Sequence, residues 1–138
     1  MNSDPKLQQA HKSAVEALKN SYAPYSKFHV ACILSTVSGE FVGVNVENAS
    51  YGATICAERS AIVSAISQKG QGNAFEFMVL VSDSKKGVIP PCGMCLQVIK
   101  EFVDDDFPIY LGTLTELKNK MTLKDFLPIS FGSEMLDN

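Results

Sequence analysis

The sequence predicts an α/β fold: a three-layer α/β/α sandwich around a mixed, mainly five-stranded sheet, in one domain over residues 1–138. Three observations predict it. Strand-like and helix-like segments alternate along the chain, as layered α/β domains require. Two β-type runs, 28–34 and 41–46, flank Ser38-Gly39, the pattern of a hairpin entering the sheet. Residues 75–81 (Phe-Glu-Phe-Met-Val-Leu-Val) are apolar enough for a strand covered on both faces, so helices must lie on both sides.

The elements follow in order. Asp4 is a good N-cap and Pro5 a good first helical residue, and Leu7, Ala10, Ala14, Val15 and Leu18 then share one helical face. That helix ends near Ser21, because Pro24 cannot continue it. In the first strand Phe28, Val30, Cys32 and Leu34 alternate with other residues. Residues 45–54 are polar and small, with Gly52 as a breaker. A helix runs from about Cys56 to Lys69, carries Ala61, Ile62, Ala65 and Ile66, and stops at Gly70. After the buried strand, residues 82–91 form a loop. The next helix opens at Cys92, carries Val98, Ile99 and Phe102, and ends before Asp104-Asp105-Asp106, since carboxylates oppose a helix C-terminus. Residues 109–111 form a short strand and 118–122 a weaker one, with a last helical turn over 123–127 before Pro128.

Composition narrows the function. The chain has 138 residues, 46% apolar and 20% charged, with a net charge of −3 and no Lys/Arg cluster. A polynucleotide backbone demands such a cluster, so a small-molecule substrate is favoured over nucleic acid. No apolar run reaches membrane-spanning length, and Met1-Asn2-Ser3-Asp4 carries no signal pattern, so no membrane partner and a cytoplasmic location are expected. In such a chain four cysteines, two of them in a CxxC, favour metal or redox use over disulfides.

Chemistry concentrates in Cys56-Ala57-Glu58-Arg59 and Pro91-Cys92-Gly93-Met94-Cys95, each placed to open a helix. Three thiolates can hold one Zn²⁺ with a tetrahedral position left for water, which bound zinc can make acidic enough to attack at neutral pH, although three thiolates leave it less acidic than three imidazoles would. About 100° per residue brings Cys92 and Cys95 near one helical face, whereas Cys56 and Glu58 serve one site only if Cys56 stands at the helix entrance. Zn²⁺ with three thiolates carries −1, and each helix N-terminus supplies roughly half a positive charge. Arg59 adds a cation to offset the strong donation of the thiolates. Glu58 is then the candidate proton carrier. The plainer readings are a CxxC of redox or structural type, a closed site completed by His11 or His29, a buried structural Cys32, and a solvated Glu58.

These two stretches resemble the zinc nucleoside deaminases, in the branch where Cys replaces the usual first His ligand. Tyr25-Ser26-Lys27-Phe28, the 45–51 stretch Asn-Val-Glu-Asn-Ala-Ser-Tyr, Phe126-Leu127-Pro128 and Ser130-Phe131-Gly132 resemble further segments of the small homotetrameric cytidine deaminases. The resemblance implies one Zn²⁺ per subunit on Cys56, Cys92 and Cys95, and hydrolytic attack at ring carbon 4 of a cytosine nucleoside. It implies that Glu58 takes the water's proton, protonates the neighbouring ring nitrogen and helps ammonia leave. Phe28 would pack on the base, the Ala57 amide would hold the base carbonyl, and Asn45 and Glu47 would hold the ribose hydroxyls. Ala49 joins the substrate-binding set, with Tyr51 and Phe131 supplied by neighbouring subunits of a homotetramer. An Asn and a Glu two apart on extended chain do point the same way, which suits a diol.

The chain departs from that pattern at three places. Leu96 stands where the family usually has Arg, and His29 and Ala31 where it has Pro and Gly. The missing cation leaves Arg59 alone beside the thiolates and predicts a more electron-rich zinc with lower turnover. The competing functions are a deaminase of a modified nucleoside such as blasticidin S, a polynucleotide editor, a non-catalytic zinc protein and a thioredoxin-like redox protein.

Overall fold

Asp4 caps the first helix of the computed structural model, its carboxylate accepting the backbone N–H groups of Lys6 and Leu7. The structure describes residues 3–136, so the reading of Met1-Asn2 as a leaderless start lies outside it. Helix α1 spans Pro5–Ala17 and continues as a 3₁₀ turn over Leu18–Asn20. The strands are β1 (Val30–Thr36), β2 (Gly39–Val44), β3 (Phe75–Ser82), β4 (Pro108–Gly112) and β5 (Leu117–Thr122). Helix α2 (Ala57–Lys69) precedes β3, α3 (Gly93–Phe102) joins β3 to β4, and α4 (Leu123–Phe126) follows β5.

The five strands form one sheet in the order β2-β1-β3-β4-β5. The β3/β4 pair is parallel, bridged by α3, and every other pairing is antiparallel, so the sheet is mixed as expected. Strand period divides β1 between two cores. Ala31 and Ile33 pack with Leu7, Ala10 and Ala14 of α1, Val79 and Val81 of β3, and Tyr110. Val30, Cys32 and Leu34 face the other way, against Ala57, Ala61, Ile62, Leu96 and Ile99 of α2 and α3. Helices therefore cover both faces, and all seven residues of β1 are buried. Alternation of burial, the usual mark of a half-exposed strand, is absent for that reason.

The hairpin differs from expectation by one position. Thr36 pairs with Gly39, so Val37 and Ser38 form the turn, and Gly39, at φ 119, begins β2. Thr36 Oγ1 also donates to the Gly39 carbonyl. The second strand stops at Val44 rather than 46, because Val46 leaves the sheet to bridge Tyr22 on one side and Ile55 on the other.

Gly43 seats α2 on the sheet. A Cβ there would lie 2.2 Å from the Ala57 carbonyl oxygen and 2.4 Å from the Ala61 nitrogen. Only hydrogen in place of a side chain lets the first turn of α2 lie this close to β2. That first turn carries Ala57, Glu58 and Arg59, the candidates singled out in the sequence.

Candidate active site

Cys56 is the N-cap of α2, with φ −74 and ψ 157. The extended backbone at Cys56 and the helical turn after it bring the Cys56 thiol and the Glu58 carboxyl to one cavity, the arrangement the spacing requires. Backbone hydrogen bonds between Val46 and Ile55, at 2.9 and 3.0 Å, hold the approach to this cap. Cys92 is likewise the N-cap of α3, at φ −73 and ψ 163. Cys92 and Cys95 therefore meet as cap and first turn, and not as two residues on one face of a continuous helix. The Cys95 N–H donates to Cys92 Sγ at 3.4 Å.

The three sulfurs lie within 4.8 Å of one another. Cys56 Sγ is 3.8 Å from Cys92 Sγ, and Cys92 Sγ is 3.2 Å from Cys95 Sγ. Two thiolates on a tetrahedral zinc, each about 2.3 Å from it, stand about 3.8 Å apart. The donor set and its spacing fit Zn²⁺. All four cysteines are free thiols, and Cys32 is fully buried in β1 without joining the cluster. His11 lies 2.8 Å from the Thr113 carbonyl through Nε2, and His29 is bound to Asp83 through Nδ1 at 2.6 Å, so neither closes the site.

Protons are shared unequally among the sulfurs. Hydrogen bonding from the Cys95 thiol, helped by Arg59 and Cys92, lowers the Cys56 thiol to about 5, while burial opposes the shift. The Cys95 thiol moves the opposite way, raised by that bond to Cys56 and by burial. Arg59 Nη2 donates to Cys56 Sγ at 3.4 Å, and Arg59 Nε is buried with no protein partner among the described residues. Glu58 is 4% exposed. Burial, with the Cys56 thiolate adding to it, pushes Glu58 up to about 7, against the opposing pull of its own backbone N–H, Cys95 and Arg59. A carboxyl near 7 exchanges protons readily in either direction at neutral pH.

The cavity beside the thiols encloses about 190 Å³ and is lined by Phe28, Val30, Asn45, Thr54, Cys56, Ala57, Glu58, Ile89, Pro90 and Cys92. Six of the positions singled out in the sequence thus meet in one place: Phe28, Asn45, Cys56, Ala57, Glu58 and Cys92, with Cys95 buried behind them. Glu47 and Tyr51 line an adjoining cavity of about 380 Å³ with Tyr25, Ser26 and Asn48, and Thr54 borders both. Glu47 accepts hydrogen bonds from the Tyr25 and Ser26 amides and from Ser26 Oγ. The Ser26 hydroxyl leads the causes that hold its carboxyl below the ordinary value. Ala49 is exposed. Phe131 is 57% exposed, and its carbonyl accepts from Gln97 Nε2 at 2.9 Å. Leu96 is buried in the core beneath α3.

Sequence reasoning missed Val30, Thr54, Ile89 and Pro90 as lining residues, and Ser21 and Ser26 as partners of Asn45 and Glu47. The Pro90-Pro91 pair before Cys92 was a readable signal of a rigid wall. Nothing in the local sequence marks the two serines.

Fold and thiol cluster together define an α/β protein with a zinc-type site at two helix entrances. Residues 4–111 match the model of the cytidine and deoxycytidylate deaminase zinc-binding region, and the chain belongs to that family. It is 40% identical over 128 residues to a cytidine deaminase of Halalkalibacterium halodurans, covering 92% of this chain and 95% of the relative. A cytidine deaminase of Mycoplasma pneumoniae is 36% identical over 127 residues, with 92% and 95% covered. The crystal structure of cytidine deaminase from Burkholderia pseudomallei superposes with a TM-score of 0.82 at 35% identity, covering 90% of this chain and 98% of that one. No helix among the described residues is long and apolar enough to cross a membrane.

Proposed function

We propose that this chain is a zinc-dependent hydrolase that converts cytidine and deoxycytidine to uridine and deoxyuridine, releasing ammonia, in pyrimidine salvage. One observation carries the reading: of three thiols spaced for zinc, Cys56 and Cys92 share a cavity wall with a buried carboxyl near neutrality, and Cys95 is buried beside them. Cys56, Cys92 and Cys95 hold one Zn²⁺ per subunit. When bound, the ion makes water acidic enough to attack at neutral pH.

The chain's own residues do the rest. Glu58 takes one proton from the attacking water and delivers it to the ring nitrogen beside carbon 4, then takes the remaining proton from the oxygen added at carbon 4 and gives it to the departing amine. Cytidine and water become uridine and ammonia, so the carboxylate is regenerated and the protons balance. Burial lets Glu58 do both jobs, since a solvated glutamate near its usual 4.3 would be a poor acid at neutral pH. The two helix N-termini and Arg59 offset the negative charge of three thiolates. Phe28 packs on the base and the Ala57 N–H holds the base carbonyl. Asn45 and Glu47 take the ribose hydroxyls, with Ala49 beside them.

A cavity of about 190 Å³ is small against the usual 300–1,000 Å³ of ligand sites. The exposed Tyr51 and Phe131 supply the missing walls when they come from neighbouring subunits of a homotetramer. A cytoplasmic location and one domain over 1–138 complete the reading.

The test is zinc content and ammonia release from cytidine, before and after Glu58→Gln. One zinc per chain in both proteins, with release abolished only in the variant, supports the proposal. Zinc-free folded protein, or undiminished release after Glu58→Gln, ends it. A panel that includes blasticidin S separates plain from modified nucleosides.

A further inference from the structure

Asn45 forms part of the thiol cavity's wall, yet almost all of its hydrogen-bonding capacity is already used. Its Oδ1 accepts the Val30 N–H at 3.0 Å and also the Ser21 hydroxyl, which fills both lone pairs of a carbonyl oxygen. Its Nδ2 donates to the Phe28 carbonyl at 2.7 Å. One Nδ2 hydrogen is all that remains. The backbone partners determine which end of the amide is oxygen, because Val30 offers a hydrogen and Phe28 a lone pair. Ser21 does something different: it occupies the one acceptor site that the backbone leaves open.

Ser21 is itself held in place. Its N–H donates to the Leu18 carbonyl at 3.1 Å, closing the 3₁₀ turn that extends α1. The Tyr22 N–H donates to the Asn45 carbonyl at 3.0 Å and the Glu47 N–H to the Tyr22 carbonyl at 2.9 Å, tying the two segments together. The far end of α1, on the opposite face of the sheet from the thiols, thus delivers one hydroxyl to the cavity wall.

We propose that Ser21 is a positioning residue that makes Asn45 a donor only, so that Asn45 meets the substrate through a single N–H pointed at a hydroxyl oxygen of the sugar. This rests on the cytidine reading of the site. A donor-only amide binds a sugar hydroxyl as acceptor and leaves that hydroxyl's own hydrogen for another partner. Without the Ser21 hydroxyl, Oδ1 regains a free lone pair, and water or the sugar O–H can bind it in the wrong sense. A site committed to one polarity also penalises a substrate that lacks the matching group.

The experiment compares Ser21→Ala, Ser21→Thr and the parent on cytidine and on dideoxycytidine, which lacks both hydroxyls of the sugar ring. In Ser21→Ala, kcat/KM for cytidine falls about tenfold, mainly through KM, as for loss of one well-placed hydrogen bond. For dideoxycytidine it stays within about twofold, because the group that Asn45 reads is missing. Ser21→Thr keeps a hydroxyl and restores the parent's ratio between the two substrates. Equal losses on both substrates, or an unchanged cytidine value, overturn the assignment while leaving deamination standing. A parent protein that releases no ammonia from cytidine overturns the functional reading and this assignment together.

Discussion

Replacing Gly43 by alanine tests whether the sheet sets the height of the first turn of α2, which carries the proposed proton carrier Glu58. The added Cβ would stand 2.2 Å from the Ala57 oxygen and 2.4 Å from the Ala61 nitrogen. An ordinary carbon-to-oxygen contact needs about 3.3 Å, so α2 must retreat by about 1 Å. Both obstacles are backbone atoms in the first turns of a helix that packs by Ala57, Ala61 and Ala65, so no flexible side chain can yield instead. Overpacking of this kind costs about 1–3 kcal/mol, or a loss in Tm of about 4–12 °C for a domain of this size. Cys56 and Glu58 move with the helix, while Cys92 and Cys95 stay with α3. A displacement of about 1 Å at a reacting centre costs about 100-fold in turnover. The measurements are thermal unfolding, zinc per chain and ammonia release from cytidine. Val42→Ala, on the exposed face of the same strand, is the control and should move Tm by less than about 2 °C. Parent-like Tm in Gly43→Ala would show that the helix is not seated on this residue. Lost Tm with parent turnover would show that the seat does not position the chemistry.

Other outcomes are expected. Chelation of zinc should abolish ammonia release and lower Tm, both restored by added Zn²⁺, as metal analysis and calorimetry can check. Leu96→Arg buries a cation in the core, so Tm should fall by more than about 5 °C, and only turnover per folded, zinc-loaded chain bears on the charge argument. An unchanged Tm would mean that the new side chain escapes to the thiolates. The Asp83 carboxyl is pulled both ways: partial burial raises it, but the His29 backbone N–H and ring outweigh this and leave it below its ordinary value. Its folded pKa thus lies under the unfolded one, so its contribution is complete above the unfolded value of about 3.9 and lost as pH falls through the folded one. Asp83→Asn should accordingly lose Tm at pH 6 and match the parent near pH 2, in melts taken across that range.

The positions of the thiols could be read from the chain because helix signals are local. Asp4-Pro5 at one helix start, Gly70 at another's end and the triple aspartate beyond Phe102 act within a turn or two, and the three long helices begin and end close to where they indicate. The hairpin was misplaced by one residue because Ser38-Gly39 satisfies turn chemistry, whereas register is decided by pairing across the sheet. The acceptor chemistry of Asn45 and Glu47 was legible as residue type, but not their partners. Ser21 and Ser26 lie 24 and 21 residues away in sequence.

Composition and spacing by themselves determined a layered α/β chain with three thiols and one acid placed at helix entrances, because caps and periodicity depend on neighbours in sequence. Only the tertiary structure decided that those entrances face each other, that burial lifts Glu58 to about 7, and that Asn45 and Glu47 look into two adjoining cavities. Those properties come from desolvation and from contacts between distant segments, the close approach of α2 to β2 at Gly43 among them.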